Sequence, residues 1–224
     1  MALTSCLGLA ARSVGRRGKA PRIFSILLLI ALPLAIAAGP AAAATGGDDA
    51  KAAAFMNQLW NRALELLNKK APPAERQARF RELFHNDFDS PQIARFVLGR
   101  YWRIASPEEQ KEFLKLFEDY VVYVYTARLS DFEGEQFKIN SAHPDQDTVI
   151  VSTDVVTPGA PQPLKVDWRL VNDDGAYKIT DVIVDGVSML VTQRSEFASV
   201  IQRHGGQVQG LLDLMREKTA SAAQ

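Results

Sequence analysis

The side chains best suited to proton transfer or metal binding near neutral pH are three histidines, His85, His143 and His204. No two of them stand at metal-ligand spacing, and none has a cysteine close by. His143 precedes Pro144 where a turn is expected. His204 falls at the end of a helical period, where a cation is favoured in any case. Asp173-Asp174, and Asp145 with Asp147, carry the carboxylates that calcium prefers, but EF-hand spacing is absent and such residues are common turn formers. The sequence contains no G-x-S-x-G, no phosphate-binding G-x-x-x-x-G-K and no dinucleotide glycine pattern. Nothing in the spacing singles out a carboxylate pair for acid–base work. The residues therefore predict no catalytic group, no metal and no cofactor.

The one cysteine, Cys6, sits in a segment that reads as a secretory leader. Arg12, Arg16, Arg17, Lys19 and Arg22 form a basic stretch without acidic residues. An apolar run from Ile23 to Ala38 follows, and Ala42-Ala43-Ala44 fits an A-x-A cleavage site. The run is short for a membrane span, which needs roughly 20 apolar residues, and Pro33 interrupts it. The expectation is a signal peptide over residues 1–44 and one domain over 45–224, with its core between 50 and 218. Removing the five basic residues of the leader turns 26 Lys and Arg into 21, against 26 Asp and Glu, a net charge of −5. Such a chain is not expected to bind nucleic acid through a basic surface. It also has no disulfide to staple it in an oxidising compartment.

The elements beneath these residues follow from periodicity. A first helix is expected from Ala50 to Asn68, with Phe55, Leu59, Ala63, Leu66 and Leu67 on one face, ending before Pro72-Pro73. A second, from about Ala74 to His85, turns Phe80, Leu83 and Phe84 inward. Ser90-Pro91 opens a third, with Ser90 as the cap. Ser106-Pro107-Glu108-Glu109 carries the signature of a capping box, and Phe113, Leu116, Phe117, Tyr120, Val121 and Val124 follow at helical spacing. Tyr120 to Tyr125 has strand propensity throughout. The cap and period upstream argue for helix, buried on more than one side.

Four strands are expected, at about Phe137–Ala142, Thr148–Val156, Leu164–Val171 and Ala176–Val184. Leu164 to Leu170 alternates apolar and charged residues, so one face of the sheet is wet and the other is not. Asn172-Asp173-Asp174-Gly175 joins two of these runs as an antiparallel hairpin. Helical period returns after Asp185-Gly186 and stops at Gly205-Gly206. A last helix covers roughly Val208 to Lys218. Helices, then strands, then helices predict an α+β fold, an antiparallel curved sheet of about four strands covered on one face by helices.

Two blocks of this sequence resemble the MlaC-type periplasmic phospholipid-binding proteins, the toluene-tolerance auxiliary family. The first is Ala94-Arg95-Phe96-Val97-Leu98-Gly99-Arg100-Tyr101-Trp102, continued by Ser106-Pro107-Glu108-Glu109-Gln110. The second is Tyr177-Lys178-Ile179-Thr180-Asp181-Val182-Ile183-Val184-Asp185-Gly186-Val187-Ser188, continued by Arg194-Ser195-Glu196-Phe197-Ala198. The match is also similar to the branch associated with hopanoid biosynthesis, HpnM, whose cargo could be a polycyclic triterpenoid. The resemblance implies a periplasmic lipid carrier with an apolar cavity between sheet and helices. It implies two partners, an outer-membrane lipoprotein complex and an inner-membrane ABC transporter with an MCE-domain protein.

On that reading the lipid-binding candidates are Phe96, Val97, Tyr101, Trp102, Phe113, Phe117, Val121, Tyr125, Val151, Val166, Trp168, Ile183, Val187 and Met189. Ordinary core packing is the competing role of each. Arg100, Arg103 and Arg194 are candidates for an anionic head group, because guanidinium pairs well with phosphate. Gly99 and Gly186 are expected to serve backbone geometry. Two other readings compete: a small α+β enzyme with a conical pocket, which needs His, Asp or Tyr groups converging inside, and a non-lipid interaction module with a closed core.

Overall fold

The computed structural model describes residues 46–66, 71–129 and 134–220. The expected leader and its cleavage point at Ala44 lie outside the described residues. Helices α1 (Gly46–Leu66), α2 (Pro73–Asp87) and α3 (Ser90–Leu98) come first, then a 3-10 turn over Gly99–Arg103 and the long helix α4 (Pro107–Leu129). Strands β1 (Gln136–Asp145), β2 (Thr148–Val156), β3 (Leu164–Asp173), β4 (Ala176–Val184) and the two-residue β5 (Val187–Ser188) follow, and α5 (Met189–Arg203) and α6 (Gln209–Ala220) close the chain.

The strands form one antiparallel meander in the order β1-β2-β3-β4-β5. Two-residue turns make three of the four connections, and a seven-residue loop over 157–163 joins β2 to β3. At the β3–β4 turn both central residues have positive φ, Asp174 at 48° and Gly175 at 91°, the backbone twist that hairpin strands demand. Asp185 and Gly186 repeat the device between β4 and β5. The short β5 was not expected from sequence, since two residues are too few to show a period. His143 and Pro144 belong to β1 rather than to a turn, which falls at Gln146-Asp147. Proline is tolerated there because β1 lies at the sheet edge.

Two irregularities change which residues share a face. β1 skips Asn140 in its pairing with β2, and β4 skips Thr180 in its pairing with β3. A skipped residue inverts the alternation beyond it. Tyr177 and Ile179 therefore share a sheet face with Val182 and Val184, whereas simple alternation would have put Ile183 there.

The capping box forms as the sequence predicts. The Ser106 backbone N–H donates to Glu109 Oε2 at 2.8 Å, and the Glu109 N–H donates to Ser106 Oγ at 3.1 Å. Ser106→Ala is expected to cost about 1 kcal/mol, read from the urea midpoint. The cap of α3 differs from expectation. Asp89, not Ser90, accepts the Gln92 N–H, at 3.2 Å. The Tyr120–Tyr125 stretch is helical, with Val121 and Val122 both buried and the four flanking residues half-buried. Neighbours on several sides thus override its strand propensity.

Packing forms two apolar clusters. One lies among helices and centres on Phe113, Phe117, Phe197, Ile201, Leu212 and Met215. The other lies between α1 and the sheet, and includes Met56, Leu59, Val151, Leu170, Tyr177 and Ile179. Helices α1, α2, α3 and α5 touch the sheet, and α4 and α6 pack together behind them. Leu83 and Phe88 pack against both clusters. Among the described residues no helix is long and apolar enough to cross a membrane.

Candidate functional site: an apolar cavity between sheet and helices

Between the two clusters the interior is incompletely filled, leaving a cavity of about 500 Å³. Helix α1 walls it with Met56, Leu59, Trp60 and Ala63, and α2 with Phe80, Leu83 and Phe84. Phe88, then Ile93 and Val97 of α3, continue the wall, and α4 adds Phe117, Val121 and Tyr125. The sheet contributes Phe137, Trp168 and the run from Ile179 to Val182 with Val184, and α5 closes one side with Met189, Leu190 and Gln193. The size lies within the range of small-molecule sites.

The spacing of these residues explains the wall. Met56, Leu59, Trp60 and Ala63 recur at three and four residues, one stripe of a helix. Trp60 stacks on Phe137 at 4.8 Å between ring centroids, joining α1 to the edge strand. Trp168 is held by its polar edge. Its Nε1–H donates to Thr153 Oγ1 at 3.0 Å, and the Thr153 hydroxyl donates to the Val166 carbonyl at 2.8 Å. Thr153→Val keeps the volume but strips the indole of its acceptor. The expected loss is about 1–3 kcal/mol, together with a changed tryptophan emission, measured by denaturant titration and fluorescence.

Polar groups in the lining are few and already engaged. Thr180 Oγ1 donates to the Arg169 carbonyl at 3.3 Å. Asp181 accepts from Ser188 Oγ at 2.7 Å and from the Leu190 backbone N–H at 3.2 Å, which ties β4 to the start of α5. Ser188 Oγ also accepts from the Val191 N–H at 3.1 Å, capping α5. Asp181 is the one charged residue among the described lining residues, and no histidine lines the cavity. Among the described residues no three His, Cys, Asp or Glu side chains gather to hold a metal. His204 caps α5, with Nδ1 at 2.8 Å from the Val200 carbonyl.

Of the residues singled out by sequence, Val97, Phe117, Val121, Tyr125, Trp168 and Met189 border the cavity. Tyr101 and Phe113 are buried among the helices, beyond the lining, and Trp102 is half-buried at that cluster's edge. Val151 and Val166 lie on the same sheet face as Trp168 but outside the lining. Ile183 occupies the opposite face, for the reason given by the Thr180 irregularity. Phe96 and Val187 are exposed.

Arg100, Arg103 and Arg194 are all exposed and outside the lining. Arg100 donates to the Tyr101 hydroxyl at 2.9 Å. That bond holds the Tyr101 phenol below its ordinary pKa, against the effect of burial. Arg194 lies over the Phe96 ring and beside Gly99, whose φ is +59°. A Cβ at Gly99 would meet Arg194 Nε at 2.7 Å, so the glycine serves both the backbone and the packing.

The lining also includes residues that sequence reasoning left in the ordinary core. Leu59, Ala63, Phe80, Leu83 and Phe84 were legible as inward faces of helices. Their stripes carried no sign of whether the opposing surface would meet them.

A family model described as MlaC protein matches residues 57–217. The chain is 26% identical over 113 residues to the intermembrane phospholipid transport system binding protein MlaC of Haemophilus influenzae, covering 49% of this chain and 53% of that protein. It is 26% identical over 137 residues to the toluene tolerance protein ttg2D of Pseudomonas putida, covering 61% of this chain and 64% of that one. The aligned regions thus leave a third or more of each relative unmatched. Among solved structures, a phospholipid-binding protein from Ralstonia solanacearum in complex with a phospholipid has the same fold, with a TM-score of 0.63 and 22% identity over 76% of this chain and 98% of that one. The family match runs from within α1 to within α6 and takes in every wall of the cavity, and the chain belongs to the MlaC protein family.

Proposed function

We propose that this protein is a periplasmic lipid carrier that encloses acyl chains in the cavity between its sheet and helices. The observation that carries the reading is a partly open cavity of about 500 Å³ with an almost wholly apolar wall between sheet and helices. Protein interiors are normally close-packed, and an apolar lining left facing water forgoes contacts that an apolar occupant would restore. Two chains of about sixteen carbons, exposed to water, would cost on the order of 25 kcal/mol. A carrier removes that cost with an apolar enclosure and needs no reacting group. The names of the Haemophilus influenzae relative and of the solved neighbour support phospholipid as the cargo. We assign Val97, Phe117, Val121, Tyr125, Trp168 and Met189 to contact with the chains. The partners on this reading are an outer-membrane lipoprotein complex and an inner-membrane ABC transporter with an MCE-domain protein.

The pocket-enzyme reading has less support, because the lining's carboxylate is already bonded to Ser188 and Leu190 and no histidine reaches the cavity. Organic extraction of protein purified from a periplasmic fraction, followed by mass spectrometry, tests the carrier. Glycerophospholipid in near-stoichiometric amount, retained through dialysis, is the expected result. A polycyclic triterpenoid would change the cargo to the hopanoid class. Protein free of lipid in repeated preparations would overturn the reading.

A further inference from the structure

We infer that the outer surface of α3, the 3-10 turn and the start of α5 docks on an anionic lipid bilayer. The segment from Ser90 to Ala105 contains Arg95, Arg100 and Arg103 and no Asp or Glu. Arg194 joins it from α5, lying over the Phe96 ring at 5.1 Å. Arg62, Arg79, Arg81, Arg169 and Arg216 each pair with a carboxylate. Among the described residues, none of the four arginines on this surface has such a partner. Of the acidic residues flanking the segment, Asp89 accepts the Gln92 N–H and Glu109 accepts the Ser106 N–H. Asp185 accepts the Lys165 N–H, and Glu196 accepts from Gln193. A domain expected to be acidic overall thus places four arginines without an ion-pair partner on one surface.

The same surface exposes apolar side chains that a purely aqueous role does not require. Ile104 is 67% exposed, Val191 54% and Phe96 38%. Arg95 lies over the Trp102 ring at 5.3 Å, so cation and indole are presented together. Arginine beside tryptophan and bare aliphatic tips is the composition that suits the head-group layer, where the charge meets phosphate and the apolar atoms leave water. Anionic lipid complements the charge. The position suits a carrier as well, since α3 and α5 turn Ile93, Val97, Met189 and Leu190 inward to the cavity. The docking inference does not depend on what the cavity holds.

Vesicle co-sedimentation of the purified protein decides it. Vesicles of phosphatidylcholine alone are expected to leave the protein in the supernatant. Vesicles with phosphatidylglycerol mixed in should pull it down, less so as salt rises. Arg95→Gln with Arg103→Gln should weaken that binding by about fivefold for each charge removed. Lys138→Gln with Lys165→Gln, on the sheet, should leave it unchanged. Co-purified lipid should stay at the level of the unaltered protein in all of them, which separates loss of docking from loss of cargo. Equal sedimentation with both vesicles, or with neither, would overturn the inference, and so would an Arg95, Arg103 variant that binds as well as the parent. The salt and lipid series on unaltered protein stands even if a variant fails to fold.

Discussion

On the proposed carrier reading, Ala63→Trp is expected to lower bound lipid without unfolding the protein. Ala63 is half-buried on the cavity side of α1, and beside it Trp60 already stacks on Phe137. An indole at position 63 grows into space rather than into packed atoms, so the usual penalty for overfilling a core is largely avoided. Alanine and tryptophan differ modestly in helix propensity, by roughly half a kcal/mol. The cargo bears the effect. Displacing about four methylenes at roughly 0.8 kcal/mol each costs about 3 kcal/mol, which lowers affinity on the order of a hundredfold. Quantitative lipid analysis of purified protein reads the change. Ala54→Trp, on the exposed side of the same helix, should leave lipid content where it was. Equal lipid in Ala63→Trp and the parent would mean that chains do not occupy this void.

Phe113→Ala should do the reverse, lowering stability while sparing the site. Phe113 is fully buried and stands within 5.9 Å, between ring centroids, of both Phe117 and Phe197, the latter edge-on. Truncating such a side chain removes its burial and opens a gap among helices that collapse only partly. The expected loss is about 3–5 kcal/mol, a fall in Tm on the order of 10 °C for a domain of this size. Because Phe113 lies beyond the cavity lining, lipid retention well below the transition should be nearly that of the parent. Thermal unfolding by circular dichroism and lipid analysis at low temperature separate the two effects. A variant that lost lipid while keeping its Tm would place Phe113 in the wall, as the sequence alone suggested.

Much of the architecture was legible because it is written in local chemistry. Ser106 and Glu109 form their box within one helical turn. Asp174-Gly175 and Asp185-Gly186 take up positive φ at turns that need it. The alternation in β3 shows which sheet face is dry. These features depend on neighbours a few residues apart, so a linear reading reaches them. Residue types also offered no histidine pair and no nucleophile motif from which to predict catalysis.

The cavity depended on longer distances. Phe113 and Phe117 differ by one helical turn and look equivalent in sequence. One is enclosed by the helical cluster alone, and the other also faces the void, because α4 passes from under α6 to beside α2. The Thr180 irregularity removes Ile183 from the inner face and substitutes Val182 and Val184, an inversion set by pairing with β3 and invisible in a strand read alone. Arg194 reached Phe96 and Gly99 only once α5 folded back across α3. The sequence by itself determined which elements form, in what order, and which stripes of the helices are apolar. Only the tertiary structure decided which of those surfaces meet and which stand apart, since a gap is a property of facing surfaces held by distant contacts and no single stretch of chain encodes it.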